Sequence, residues 1–334
     1  MKAYLLKRIL LIIPTLFGIT FITFLMIQLA PGNPVSMKIQ QLGGEGIKSE
    51  TVSREVIEQT KKLYGLDKPF HVQYLLWMKR VATFDFGESY KDHRPVIDKI
   101  KEALPVTLIL NIISIFLIYL ISVPLGVYSA IKPDSRTDKV LTLVQFILYS
   151  LPSFWVAMIL IIYLGGGEYL DIFPVTGIVS EGVRSLSWFH KVGNVLWHLV
   201  LPVTVLTYGG FAFLSRFSRA QLLEVIQQDY IRTARAKGLS ERKVIFKHAL
   251  RNALIPFVTM VGTLLPSMIG GSVIVEQIFS IPGMGQLGFE SVLSRDYPTV
   301  MAIATIEAFL TLVSLLISDV LYVFVDPRIS FEKI

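Results

Sequence analysis

Asp229-Tyr-Ile-Arg-Thr-Ala-Arg-Ala-Lys-Gly238, followed by Leu239-Ser-Glu-Arg-Lys-Val-Ile-Phe-Lys-His-Ala-Leu-Arg-Asn252, decides how this chain is read. The stretch is polar and strongly basic, and it lies between two long apolar segments. Residues 219–237 favour helix, because Ala, Leu, Gln, Glu, Arg and Lys dominate them. Gly238 suits the left-handed backbone that ends a helix. Ser240 is a good N-cap for a second helix running to Leu250, with Glu241, Arg242 and Lys243 in its first turn. The pattern predicts helix, turn, helix on one face of a membrane. Leu222, Leu223, Val225, Ile226, Tyr230, Ile231 and Ala234 are embedded in it. An exposed apolar patch rimmed by charge marks a protein contact, so the expected partner is a soluble protein. A loop that only held topology by attraction to anionic lipid would need neither this length nor this order.

Outside that stretch the composition is that of a membrane protein. Of 334 residues, 53% are apolar and 17% are charged, against about 25% charged in ordinary soluble domains. A span needs about 20 apolar residues. Six segments qualify: residues 9–30, 104–131, 140–164, 199–214, 253–275 and 300–325. The fourth is the weakest, being short before Arg216 and carrying Pro202, Gly209 and Gly210. The net charge of +7 is no sign of nucleic acid, because the basic residues flank the apolar runs. There are no cysteines, so disulfides and thiolate metal sites are excluded.

Lys and Arg in the short loops set the orientation. With the N-terminus inside, seventeen basic residues fall on inner segments, three (Arg184, Lys191, Arg295) on short outer loops and twelve on the long segment 31–103. Long loops cross largely regardless of charge. The expected topology is six spans with both termini in the cytoplasm. The first span is read as an anchor; its apolar core exceeds the usual length for a signal peptide, and no small-residue cleavage site follows.

The chain is expected to divide into residues 1–30, an extracytoplasmic helical insertion 31–103, and a five-helix core 104–334 that includes the inner loop 216–252. Within the insertion, residues 50–63 and 70–81 mix charged and apolar residues at helical spacing, the second with Tyr74 and Trp77. Two short helices resting on the outer membrane face are predicted.

The inner loop also resembles a known signature, the coupling loop of ABC importer permeases in its peptide-importer variant. Arg232-Thr233-Ala234 stand where the general motif has Glu-Ala-Ala, and Gly238 is kept. The similarity to the B-type permease of dipeptide and oligopeptide importers covers nearly the whole chain. It includes Arg8-Ile-Leu-Leu-Ile-Ile-Pro14, Pro31-Gly-Asn-Pro34, Leu66-Asp67-Lys68-Pro69, Phe86-Gly87-Glu88-Ser89 and Pro105-Val-Thr107. It continues through His248-Ala-Leu-Arg-Asn-Ala-Leu-Ile-Pro256, residues 276–285 (Glu, any residue, Ile-Phe-Ser-Ile-Pro-Gly-Met-Gly), Arg295-Asp-Tyr-Pro298 and Asp326-Pro-Arg328.

The resemblance implies an all-α membrane protein of the type I importer fold. It also implies a bacterial or archaeal cell-membrane location. The partners would be a second homologous permease, two ABC ATPase subunits and an extracytoplasmic solute-binding protein. Coupling to the ATPases would run through Asp229, Tyr230, Arg232, Thr233, Ala234, Arg235, Ala236, Lys237, Gly238 and Lys247. With Arg232 in the place of the general motif's acidic residue, the ion pair that residue can make with an ATPase is absent or reversed. Transport would be by alternating access, with ATP and Mg held by the partner subunits and no cofactor on this chain.

The remaining motifs concern the pathway. The fifth span carries Pro256, Gly262, Pro266, Gly270 and Gly271; such residues loosen the backbone ladder and allow close helix contacts. Glu307 and Asp319 lie inside the sixth span, and intramembrane carboxylates are functional hypotheses by default. Asp319 is placed to reach water or Arg328, and Glu307 to line the pathway or to bond a helix such as that of Asn111. The turn with Pro282, Gly283 and Gly285 is read either as an outer gate or as a plain tight connection. There is no phosphate-binding loop and no hydrolase motif. Three alternatives stay open here: the same architecture carrying nickel, glutathione or oligosaccharides, a stand-alone secondary transporter, or a membrane enzyme.

Overall fold

The computed structural model describes residues 2–29, 67–167, 169–185 and 187–325. Among these the chain is helical, with one isolated antiparallel bridge between Glu88 and Pro95. The predicted helix at 50–63 and the motifs at 31–34 and 326–328 lie outside the described residues, as does Arg328.

The helices are α1 (Lys2–Leu29), α2 (Phe70–Ala82), α3 (Val96–Ile131), α4 (Arg136–Ser150), α5 (Ser153–Leu164) and α6 (Trp188–Ile226). They continue as α7 (Asp229–Ala236) and α8, which runs through Glu241–Lys243, a π-helical stretch Val244–Ala249 and Leu250–Ala253. Last come α9 (Ile255–Gly270), α10 (Val273–Ile278), α11 (Met284–Leu293) and α12 (Tyr297–Val325). Four described helices (α1, α3, α6 and α12) are long and apolar enough to cross a membrane, or five spans if the bent pair α4–α5 counts as one.

Two expected spans are broken. Residues 140–164 form two helices bent by 98°. Pro152 lacks the N–H that would continue the ladder, and Leu151 before it is extended at φ −82°, ψ 131°. The fifth span stops at Gly271, at φ +68°, and restarts as α10. The fourth is longer than read: α6 has 39 residues, about 58 Å at 1.5 Å per residue, against a hydrocarbon core of about 30 Å. Pro202 sits inside it without ending it.

The chain forms two compact units. One comprises Met1–Ala103 and Leu287–Leu312. Here α2 forms as predicted, and it packs on the side of α1. Tyr74 is buried against Phe17, Phe21 and Phe24, with ring centroids 5.4 Å apart in each pair. Its hydroxyl pairs with Thr20 Oγ1 at 3.0 Å. The aromatic stripe, Phe17-x-x-x-Phe21-x-x-Phe24, explains this docking: residues three and four apart share one helix face.

The other unit comprises Leu104–Gln286 and Val313–Ile334. Its main core joins Leu110, Ala157, Leu199, Leu201, Val205 and Tyr208 to Val275, Phe279 and Ile281. A second cluster joins Val127 and Ala130 of α3 to Leu222 of α6, Ile231 and Ala234 of α7, and Val244, Ala249 and Ala253 of α8.

Candidate functional site: the basic hairpin and two buried carboxylates

The sequence pattern explains how α7 is presented. Helix α6 ends at Ile226, and Gln228 is extended (φ −69°, ψ 148°), so α7 starts afresh instead of continuing α6. That break lets Ile231 and Ala234 turn inward while Asp229, Arg232, Thr233, Arg235, Ala236 and Lys237 stay exposed. Gly238 adopts φ +76° as expected, and the chain reverses into α8. Ser240 occupies the N-cap position, but its side chain makes no cap hydrogen bond.

One expectation is corrected here. The seven apolar residues do not form an exposed patch. Leu222, Ile231 and Ala234 are buried in the chain's own cluster, and Leu223, Val225 and Ile226 pack against it. Tyr230 alone of the seven is exposed, at 43%, and its hydroxyl accepts from Asn252 Nδ2 at 2.7 Å. The exposed face is polar and basic, and the apolar face fastens the hairpin to α3 and α6.

Within the hairpin, Arg235 grips Glu241 across the Gly238 turn in a fork, Nε to Oε2 at 3.1 Å and Nη2 to Oε1 at 2.6 Å. That bond holds the Glu241 carboxyl below its ordinary value and the Arg235 guanidinium above its own. Arg232 meets Asp229 loosely at 3.5 Å, both side chains being largely exposed. Lys247 lies on the π-helical stretch of α8 and lines a cleft of about 530 Å³ with Tyr230, His248, Arg251, Asn252, Leu254 and Ile255.

The α10–α11 turn has a centre that sequence reading passed over. Glu276 is 1% exposed. Its carboxylate accepts from Thr107 Oγ1 at 3.1 Å, Ser272 N at 3.3 Å and Gln286 N at 2.8 Å, and from the backbone of Gly285. Met284 N donates to Thr107 Oγ1 at 2.7 Å. Pro282, Gly283 and Gly285 therefore sit in a turn folded around one carboxylate and tied to α3. A Cβ on Gly283 would lie 2.5 Å from Thr107 Oγ1 and 2.6 Å from the Glu276 carboxylate. Closeness of approach, then, is what demands glycine there. Phe279 and Ile281 are buried in the main core.

A second buried carboxylate, Asp296, precedes α12 in the first unit. It is 0% exposed. It accepts from Ser89 Oγ at 2.5 Å, Tyr90 N at 2.8 Å and Thr299 Oγ1 at 2.7 Å, with Lys99 Nζ at 3.5 Å. Lys99 also meets Asp92 at 3.0 Å. Partial burial alone would raise the Asp92 carboxyl; the hydrogen bond and positive charge of Lys99 act against it, and the carboxyl is held below its ordinary value. The Phe86–Ser89 and Arg295–Pro298 motifs, far apart in sequence, thus meet at one charge.

Of the other candidates, Glu307 is half-buried on α12, with Thr311 donating to its carbonyl at 2.7 Å. Asn111 gives its amide to the carbonyls of Met268 at 2.9 Å and Ser267 at 3.5 Å. Pro266 lies within α9, and its side chain is outside the described residues.

Long apolar helices with a basic hairpin packed onto α3 and α6 define a membrane protein, and comparison with known proteins gives its family. Residues 122–331 match the family described as binding-protein-dependent transport system inner membrane component, and residues 1–111 match the N-terminal region of such components. The chain belongs to this family, the permeases of ABC transporters, and is a transport subunit rather than an enzyme. It is 43% identical to the oligopeptide transport system permease protein AppB of Bacillus subtilis, over 99% of this chain and 100% of that protein. It is 37% identical to the inner membrane ABC transporter permease protein YejB of Escherichia coli O157:H7, over 99% of this chain and 100% of that protein. Among solved structures, the inward-facing MetNI methionine ABC transporter superposes with a TM-score of 0.50 at 18% identity, covering 70% of this chain and 99% of that one. That likeness concerns the fold.

Proposed function

We propose that this chain is one of two permease subunits of an ATP-driven importer of di- and oligopeptides in a bacterial or archaeal cell membrane. The fuller architecture would be six spans, with broken α4–α5 and α9–α10 each counting once, both termini cytoplasmic, and residues 31–103 outside. Two ABC ATPase subunits would bind ATP and Mg on the inner side. A second, homologous permease would complete the pathway, and a solute-binding protein would deliver cargo to the outer loops. The peptide cargo rests on the names of the relatives and on the Asp229–Gly238 sequence.

The observation that carries the mechanism is the two-faced α7. Its polar face, with Asp229, Arg232, Thr233, Arg235 and Lys237, is open to a partner, and its apolar face is packed onto α3 and α6. When the ATPases close on ATP and draw this hairpin, the packed helices move with it. The cavity between the two permeases then changes the side to which it opens. Glu307, Pro266 and the turn at Pro282, Gly283 and Gly285 are assigned to the pathway and its gate.

Affinity purification of this chain from its native membrane in mild detergent tests the reading. Stoichiometric ATPase subunits, a second permease and ATP hydrolysis in the eluate are expected. A chain that elutes alone and hydrolyses nothing sinks it.

A further inference from the structure

The second unit holds a buried carboxylate that the transport reading leaves without a role. Asp138 opens α4, and its side chain is 4% exposed. Arg219 meets it in a fork, Nε to Oδ1 at 3.1 Å and Nη2 to Oδ2 at 2.9 Å. Asp134 N donates to Oδ2 at 3.0 Å, and the Ser129 hydroxyl donates to the same carboxylate. Asp134 sits at φ +60°, where residues other than glycine seldom sit. One carboxylate thus gathers the end of α3, the α3–α4 turn, the first turn of α4 and the side of α6.

The position of Arg219 matters. It lies three residues before Leu222, which is packed with Ile231 and Ala234 of the hairpin. One helical turn back along α6, Ser215 Oγ accepts from Gln145 Nε2 of α4 at 2.8 Å, in buried contact. Beside these ties α3 closes on α6 at Gly126, where a Cβ would lie 2.8 Å from Ser218 Oγ. A two-rung polar ladder therefore joins α4 to α6 next to the cluster that holds α7.

The hydrophobic effect itself is non-directional. A forked, charge-assisted pair fixes both distance and angle. Buried pairs add little net stability over apolar substitutes, which leaves registration as the use for this one. We propose that Asp138 and Arg219 are positioning residues for energy coupling. They register α4 against α6, so that displacement of the hairpin reaches α4 and α5 instead of being lost as slippage. This rests on residues 229–247 being the coupling loop.

The test uses the whole complex with its ATPase subunits and binding protein, reconstituted in liposomes. ATP hydrolysed and isotope-labelled tri- and pentapeptides accumulated are measured together. Asp138→Asn, Arg219→Lys, the double variant Asp138→Asn/Arg219→Gln and Gly238→Val are compared with the unaltered complex. The double variant leaves no buried charge without its partner, so it keeps the test open if Asp138→Asn does not assemble. Basal hydrolysis is expected within about twofold of the original, with at least roughly tenfold fewer peptides per ATP in the double variant. Arg219→Lys should fall between, since it keeps the charge and loses the fork. An unchanged peptide-to-ATP ratio in the double variant overturns the proposal. So does failure of every Asp138 and Arg219 variant to assemble, which would make the pair a folding determinant. Gly238→Val separates the two ideas: if it also keeps the ratio, the coupling-loop reading itself falls. If it alone uncouples, only the registration falls.

Discussion

Adding one methyl group at Gly283 should cost more than its size suggests. A Cβ there would stand 2.5 Å from Thr107 Oγ1 and 2.6 Å from both Cδ and Oε2 of Glu276. Ordinary contact needs about 3.5 Å or more, so roughly 1 Å must be found. The carboxylate cannot supply it freely, because Thr107, Ser272 and Gln286 hold it at 2.8–3.3 Å. Moving it stretches at least one hydrogen bond to a buried acceptor, at about 1–3 kcal/mol. Overpacking adds about 1–3 kcal/mol. Partial relaxation shares these terms, so Gly283→Ala is expected to cost about 2–5 kcal/mol, where a surface change usually stays within about 0.5 kcal/mol.

Thermal denaturation of the detergent-solubilised permease, followed by size-exclusion chromatography, reads this as a loss of several degrees in the midpoint. A double-mutant cycle sharpens it. Glu276→Ala removes the obstructing carboxylate, so the two changes together should cost at least about 1 kcal/mol less than their sum, as contacting residues do. Strict additivity, or a Gly283→Ala protein that melts with the original, would falsify the claim that the turn is folded on Glu276.

Other perturbations follow the same logic. At Gly238, φ is +76° and no atom lies within 4 Å of a Cβ, so Gly238→Ala should cost only about 1–2 kcal/mol of backbone strain and Gly238→Asn less. If Gly238→Asn abolishes transport in vesicles while the purified chain melts normally, the bulk is being felt by a docked partner; if it transports normally, Gly238 serves the turn alone. Asp296→Asn leaves Lys99 with Asp92 as its remaining charge partner and should lower stability by about 2–4 kcal/mol, below the 3–5 of a fully broken buried pair; unchanged limited proteolysis of this variant would count against the clamp. The Glu241 carboxyl has a lowered value in the fold, so its contribution is whole above the ordinary carboxylate value and is lost as pH falls through the lowered one. Hydrogen exchange at the α7–α8 turn should therefore be flat between pH 6 and 8 after correction for intrinsic rates and loosen only below about pH 4.5. Because the pair is largely exposed, the effect stays under about 1 kcal/mol, and a Glu241→Gln protein should lose the acid-side change.

Hydropathy and charge made the membrane class and the basic hairpin legible, because both follow from local composition. Gly238 was readable for the same reason: a helix-forming run that stops at glycine has one cheap conformation. What the pattern could not convey was which way α7 faces. Ile231 and Ala234 look like a docking patch until Val127, Ala130 and Leu222 are known to lie beneath them, and that is long-range information. Leu151-Pro152 carried a local signal for the 98° bend, since proline removes a donor and biases its neighbour to extended backbone. An unbroken apolar run hid it.

The buried carboxylates were hidden for a related reason. Hydropathy reads Glu276, Asp296 and Asp138 as breaks between spans, where charges are cheap. Buried, each must be satisfied by donors that only the fold can supply. Glu276 collects backbone N–H groups from a turn rich in glycine, and a hydroxyl from Thr107, 169 positions away. Asp296 collects Ser89 from 207 positions away. Around Glu276 the glycines mark the site indirectly: a Cβ on Gly283 or Gly285 would lie 2.6 Å or 3.0 Å from its carboxylate. A Pro-Gly-x-Gly turn following a lone Glu in an apolar context can thus be read as a request for a buried anion. The same reasoning reassigns these glycines from flexibility to close packing, so any gate built on the α10–α11 turn should move as a body with its end of α3, through Thr107, and not by unfolding of the turn.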